Sequence, residues 1–350
     1  MTSFVSSSAE GRGGAPADVL VIGAGLAGLA FAGDAARAGL RVRVVDKARG
    51  PGGRASTKRF EGGAGRADHG AQYFTARGER LRALAEAWTA EGGLRAWSHG
   101  FPVWDAGSVQ PRPAGHPRYA PTDGMNALPK RLADGLNVTT GTRIARLERD
   151  AATGIWTATA DDGRTFAARR VVLNMPPAQI IPLVAADSFV DTAPLARVTF
   201  WPTWAVIFPL ETDLAGADWP ALEVRHPVLA WLSRDHTKRA NPLDAPPVLV
   251  AHPQGHWSVE HLEDDPADVV RQVRAAVEEV AGQPLVLRGE AVPFRWRYSQ
   301  PIDPYPAKHF FDPDLGLGWC GDWCGGPKVE GALTSGWSLA EAMLAQDAAE

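Results

Sequence analysis

Residues 18 to 46 read DVLVIGAGLAGLAFAGDAARAGLRVRVVD, and few folds accommodate such a stretch. An apolar run at 18 to 22 meets Gly23-x-Gly25-x-x-Gly28, helix-forming Ala and Leu continue to Gly39, and Arg41 to Val45 form a second β-type run ending in Asp46. Strand, tight turn, helix and strand within about 30 residues is the βαβ context of a dinucleotide-binding fold. Gly23 permits the turn, Gly25 lets a pyrophosphate approach the backbone, and Gly28 lets helix and strand pack closely. The helix N-terminus offers free N–H groups to phosphates, and Asp46 stands where an acid accepts hydrogen bonds from a ribose.

Eight residues after Asp46 comes Arg54, within PGGRAST and next to Gly52 and Gly53, followed by ADHGAQYF at 67 to 74. An Arg just after the second strand reaches a pyrophosphate as a planar two-pronged donor, and neighbouring glycines clear space for the ligand. A nicotinamide dehydrogenase does not need this extension. The Gly-Gly-Arg element resembles that of amine oxidase-like flavoproteins, which implies that it lies along the FAD diphosphate. Flavoproteins of this class also carry a Gly-Asp pair near the C-terminus, and GLGWCGDWCGG supplies Gly321 and Asp322 for the ribityl chain. VEGALTSGWSLAEAML at 329 to 344 then reads as a helix directed by its N-terminus at the flavin ring, where its dipole favours negative charge near N1 and C2=O. The candidate cofactor residues are Gly23, Gly25, Ala27, Gly28, Asp46, Lys47, Gly53, Arg54, Gln72, Tyr73, Ile144, Gly321, Asp322, Glu330, Gly331 and Ala332.

No second GxGxxG unit occurs in the middle of the chain, so electrons are expected from a substrate bound directly over the flavin. PGGRASTKRF contains no cysteine, which removes a disulfide reductase. Cys320 and Cys324 have no second ligand pair for zinc and are expected to pack. A net charge of -4 gives no field for a nucleic acid, and no run approaches the roughly 18 apolar residues of a membrane span. The first 16 residues lack a basic start and an apolar stretch and read as a flexible tail rather than a secretory signal. A cytoplasmic location is therefore expected, and two cysteines, too few for a disulfide framework, agree with a reducing compartment.

PTDGMNALPKRLADGL reads as a loop leading into an amphipathic helix through Met125, Leu128 and Leu132, and NVTTGTRIARLERD, with Ile144, as a β-type segment near adenine. Between Pro194 and Pro301 short β-type runs separated by Pro-rich turns predict an antiparallel sheet. One helix interrupts it, capped by Asp265-Pro266, with Val270, Val273, Val277 and Val280 at helical spacing. His252, His256 and His261 are read as polar loop residues rather than metal ligands, since Pro253 and Gly255 keep the first pair off one helix face. Trp201, Trp204, Trp231, Trp257 and Trp296 lie in this lobe, and their faces suit sheet packing or a planar ring held against the isoalloxazine. In Arg295-Trp296-Arg297-Tyr298 a strand puts both arginines on one face and both aromatics on the other, and spacing leaves open which face meets substrate.

These pieces together with WLSRDHTKRANP, and with HWSVEHLE, RWRY and the GDWC-x-x-x-x-VEGA tail as the more telling, make the chain similar to the renalase-like flavoproteins of bacteria. The resemblance covers most of the chain. It implies an α/β Rossmann-type FAD domain with a second α+β domain built on an antiparallel sheet, in p-hydroxybenzoate hydroxylase-like topology. The expected division is FAD-binding domain at 17–75, 122–190 and 308–350, and substrate domain at 76–121 and 191–307. The implied reaction takes hydride from 2- or 6-dihydro isomers of NAD(P), regenerates NAD(P)+ and reduces O2 to hydrogen peroxide. Trp296, Arg297 and Tyr298 are the candidate catalytic residues, for stacking and for substrate phosphates. Asp235 to Arg239 depart from the Ser-Lys-Pro-Gly run of related sequences, a difference that bears on the substrate. An amine oxidase and a flavin-binding redox sensor without turnover are the alternatives, and oligomeric state is not legible.

Overall fold

The computed structural model describes residues 15–63, 65–185, 190–324 and 326–349; most of the expected N-terminal tail lies outside them. Strand Ala17–Ile22 is the centre of an eight-stranded sheet, parallel to Val42–Val45 on one side and to Thr165–Leu173 on the other. Val19 and Val21 face one layer, Leu20 and Ile22 the other, and all four are buried. A strand covered on both faces has to be apolar at successive positions, which is why 19 to 22 read as an unbroken run. The first layer holds helices Leu26–Arg37 and Lys328–Ala349. The second holds helix Pro177–Val184 and the face of the meander Ile144–Arg149, Trp156–Ala160 and Thr165–Leu173. Strand Leu317–Trp319 joins beside Val171–Leu173, so the chain's end returns to its beginning.

A seven-stranded sheet runs Val292–Asp303, Thr199–Pro209, Val248–Pro253, Leu229–Arg234, Ala221–Arg225, Val103–Asp105 and Ser108–Gln110. Every pairing is antiparallel except Ala221–Arg225 with Val103–Asp105. Helix Pro266–Ala281 covers its far face with Val269, Val273, Ala276, Val277 and Val280. Asp265 caps that helix by accepting from the Ala267 N–H at 2.8 Å, and Gly282 ends it with φ +67°.

Three expectations shift. Met125 is fully buried but lies ahead of the short helix Ala127–Leu132. His252 lies on strand Val248–Pro253 and His256 in helix Gly255–Glu260, so neither is a loop residue. Pro253 and Gly255 break the strand and open the helix between them, which is why they read as loop punctuation. Among the described residues no helix is long and apolar enough to cross a membrane.

Candidate functional site

A cleft of about 1360 Å³ opens at the carboxyl ends of the central parallel strands and extends beneath the seven-stranded sheet. At its nucleotide end Gly23 turns with φ +108°, and a Cβ there would strike the Asn174 carbonyl. Gly25 and Gly28 are also held close to Asn174, whose Nδ2 donates to the Gly23 carbonyl at 3.2 Å; a Cβ on Gly28 would come within 2.6 Å of that nitrogen. Gly28 therefore packs the turn from behind, while Gly23, Gly25 and Ala27 line the cleft. Gly25 caps the first helix with no side-chain bond, leaving the first-turn N–H groups available. Asp46 accepts from the N–H groups of Ala24 (2.6 Å) and Ala48 (2.7 Å), fixing loop to strand end and keeping lone pairs over. Lys47 donates to Gln179 at 3.0 Å, and Ile144 closes this end.

Midway, Arg54 donates to both Asp322 oxygens at 2.8 and 2.5 Å and to the Ser299 carbonyl at 2.6 Å. Gly53 (φ +55°) and Gly321 line the wall beside this pair. The Gly321 N–H donates to Ser335 Oγ at 3.0 Å, tying the Gly-Asp turn to the C-terminal helix. That helix starts at Lys328, a non-glycine residue at φ +86°, and presents Lys328, Val329 and Ala332 to the cleft. Gly331 packs on the Gly326 backbone, and Glu330 turns outward to accept the N–H groups of Arg77 (3.0 Å) and Gly78 (2.6 Å).

The far end is aromatic. Trp296 and Tyr298 line it, with Trp296 Nε1 donating to the His69 carbonyl at 2.9 Å and Tyr298 edge-on to Phe200. Across the ladder Trp201 to Thr203 faces Gln300 to Trp296, so the intervening Arg297, Tyr298 and Ser299 bulge. The bulge accompanies delivery of the Ser299 carbonyl to Arg54 and re-aims its side chains. Arg297 borders the same cleft, but its guanidinium is bound to Glu263, which also takes Arg295 at 2.9 Å. Both arginines thus meet an acid, Arg297 at the edge of the cleft, and both aromatics line the cleft. Tyr73, Trp231, His69 and His252 complete the wall. Burial pushes His69 down to about 4 and His252 to about 3, leaving both neutral.

Gln72 stands behind this wall, in a cluster that the sequence did not reveal. Its Oε1 accepts from Lys238 Nζ at 3.1 Å and Ser233 Oγ at 3.0 Å. Lys238, fully buried, also binds Asp235 at 2.5 Å and Asp68 at 3.4 Å; Arg239 joins the same two carboxylates. Desolvation opposes ionisation of Asp68, and the two cations outweigh it to hold its carboxyl below the usual range. The pairing of 68 with 238 leaves no trace in local spacing.

FAD fits the donor set. The helix N–H groups suit the phosphates, Arg54 keeps Nε and one Nη2 hydrogen over beyond its bonds to Asp322 and Ser299, Asp46 suits a ribose, and glycines keep the pyrophosphate path free of Cβ atoms. Single ligands fill about 300–1000 Å³, so the cleft has room beyond one molecule. Cys320 and Cys324 are free, buried and absent from the cleft wall, and burial raises both thiols.

The family model described as flavin containing amine oxidoreductase matches residues 107–344, and that of an NAD(P)-binding Rossmann-like domain matches 21–88. Among solved structures the chain is similar to a proposed protoporphyrinogen oxidase from Exiguobacterium sp. 255-15, at 16% identity and TM-score 0.75 over 95% of this chain and 100% of that one. It is similar to cyclohexylamine oxidase from Brevibacterium oxydans IH-35A, at 16% identity and TM-score 0.72 over 95% and 99%. Putrescine oxidase bound to putrescine follows at 14% identity and TM-score 0.68, over 95% and 99%. At these identities the structural likenesses speak for the fold.

Proposed function

The chain belongs to the flavin-containing amine oxidoreductase family, and from that premise we propose that this FAD-dependent oxidoreductase oxidises 2- or 6-dihydro isomers of NAD(P) to NAD(P)+, with O2 as acceptor and hydrogen peroxide as product. The observation that carries the reading is the charge of the aromatic end. Among the described residues the carboxylates lining the cleft are Asp46 at the nucleotide end and Asp322 midway, both engaged, by N–H groups and by Arg54. No acid among the described residues stands beside Trp231, Trp296, Tyr298 and the neutral His69 and His252 to receive an ammonium group. A dihydropyridine needs none, because it carries a transferable hydride and requires no strong base.

FAD, when bound, supplies the hydride acceptor. In this reading the chain's work is placement. Trp296, held by the His69 carbonyl, and Tyr298, held against Phe200, form a rigid wall that orients a flat ring and displaces water. Arg54 and the first-turn N–H groups carry the phosphates, and Asp322 takes the ribityl hydroxyls. Arg297, bound to Glu263, takes no direct catalytic part and anchors the strand. In the same proposal 17–75, 122–190 and 308–350 are the FAD-binding domain and 76–121 and 191–307 the substrate domain. A cytoplasmic location and non-covalent FAD belong to the same proposal.

An amine substrate is the second reading, favoured by the aromatic walls of Tyr73, Trp231, Trp296 and Tyr298, which suit a neutral alkylamine, and by the amine oxidases among the similar structures. Anaerobic stopped-flow mixing of the FAD-loaded protein with 2-, 4- and 6-dihydronicotinamide dinucleotides and with amines separates the two. Bleaching by the 2- or 6-isomers, and not by amines, is expected; rapid bleaching by amines alone overturns the proposal.

A further inference from the structure

Trp201 lines the cleft but has no part in the placement just described. It is 40% exposed, and no other tryptophan among the described residues is in the exposed class. Local backbone features account for its position. The indole lies on Gly255, where an added Cβ would come within 3.1 Å of the ring, so a larger residue there would displace it. The next residue, Pro202, is buried and brings no N–H to the ladder, and opposite it the other strand bulges. Thr203 then returns to the cleft wall opposite Trp296. One indole face is thus taken by backbone, while the remainder borders a cleft too large for a single ligand.

We propose that Trp201 is a stacking platform for the purine base at the remote end of a dihydronicotinamide dinucleotide, and that it selects dinucleotide over mononucleotide. This rests on the substrate reading above. A purine offers a flat π-face that an indole takes up without base-specific hydrogen bonds, and such stacking is worth a factor of about ten or more in affinity. The platform acts on binding, and the reacting ring lies elsewhere.

The test uses the FAD-loaded wild type, Trp201→Ala and Trp201→Phe, each reduced anaerobically by 6-dihydro-NAD and by the 6-dihydronicotinamide mononucleotide. For Trp201→Ala the half-saturating dinucleotide concentration is expected to rise about tenfold at an unchanged limiting rate, with Trp201→Phe recovering most of the loss. The mononucleotide is expected to saturate alike in all three proteins. Equilibrium binding of NAD+ and nicotinamide mononucleotide repeats the comparison without turnover, and FAD content and unfolding midpoint are expected to be unchanged. An equal loss for both substrates, or a lower limiting rate at unchanged half-saturation, overturns the platform. If neither compound reduces the wild type, the substrate reading falls and takes the platform with it, a result distinct from failure in the variants alone.

Discussion

His69 and His252 border the cleft as uncharged imidazoles, held near 4 and 3 chiefly by burial, and that state has a measurable cost in acid. In the unfolded chain each titrates at its ordinary value of about 6.5. Between that value and the folded one the unfolded chain binds more protons, so stability rises with pH. The contribution is complete above pH 6.5 and is lost as pH falls toward 4 and then 3, at up to about 1.4 kcal/mol per pH unit for each ring. Thermal unfolding is expected to show a midpoint that drops between pH 6.5 and 5, with His252→Asn flattening part of the slope; a flat wild-type profile contradicts the burial. At this scale the cofactor end is legible in sequence, because the turn around Gly23, Gly25 and Asp46 is local. The two histidines are not, because their neutrality comes from strands more than a hundred residues apart.

The C-terminal helix crosses the first helix at Gly336, where a Cβ would press into the Ala27 carbonyl. Gly336→Ala is expected to force the helices apart at a cost of about 1–3 kcal/mol, and because Ala27 and Ala332 both line the cleft, to weaken FAD retention as well. Urea midpoints and flavin content after gel filtration check this; an unchanged pair of values rules out the close crossing. The βαβ unit and helix Pro266–Ala281 were readable from periodicity and capping, since their signals are complete within the segment. The strand Val292–Asp303 was half readable: alternation separates Trp296 and Tyr298 from Arg295 and Arg297, but Glu263 decides which side turns away. The bulge at 297–299 has no glycine to announce it and shows only in the register with Trp201 and Thr203.

Between the two sheets, Asp68, the last residue of the hairpin Thr57–Arg59 and Arg66–Asp68, meets Asp235, Lys238 and Arg239 from the second lobe, all buried. Lys238→Met keeps the bulk of the side chain but leaves two carboxylates facing Arg239 alone, for an expected loss of about 3–5 kcal/mol. Chemical denaturation with an unchanged slope measures it, and a loss below about 1 kcal/mol denies the cluster its role in joining the lobes. The departure at 235–239 is thus visible in the sequence as a difference, while its partner at 68 is visible only in the folded molecule. The crossing of the first and last helices carries a consequence for biosynthesis. The first helix is made before the residues of the seven-stranded sheet, and its partner helix after them, roughly 15–60 s later at ordinary elongation rates. Until then the apolar face of the first helix lacks this cover, so the cleft wall to which Ala27 and Ala332 both contribute cannot be complete before the last helix has been made.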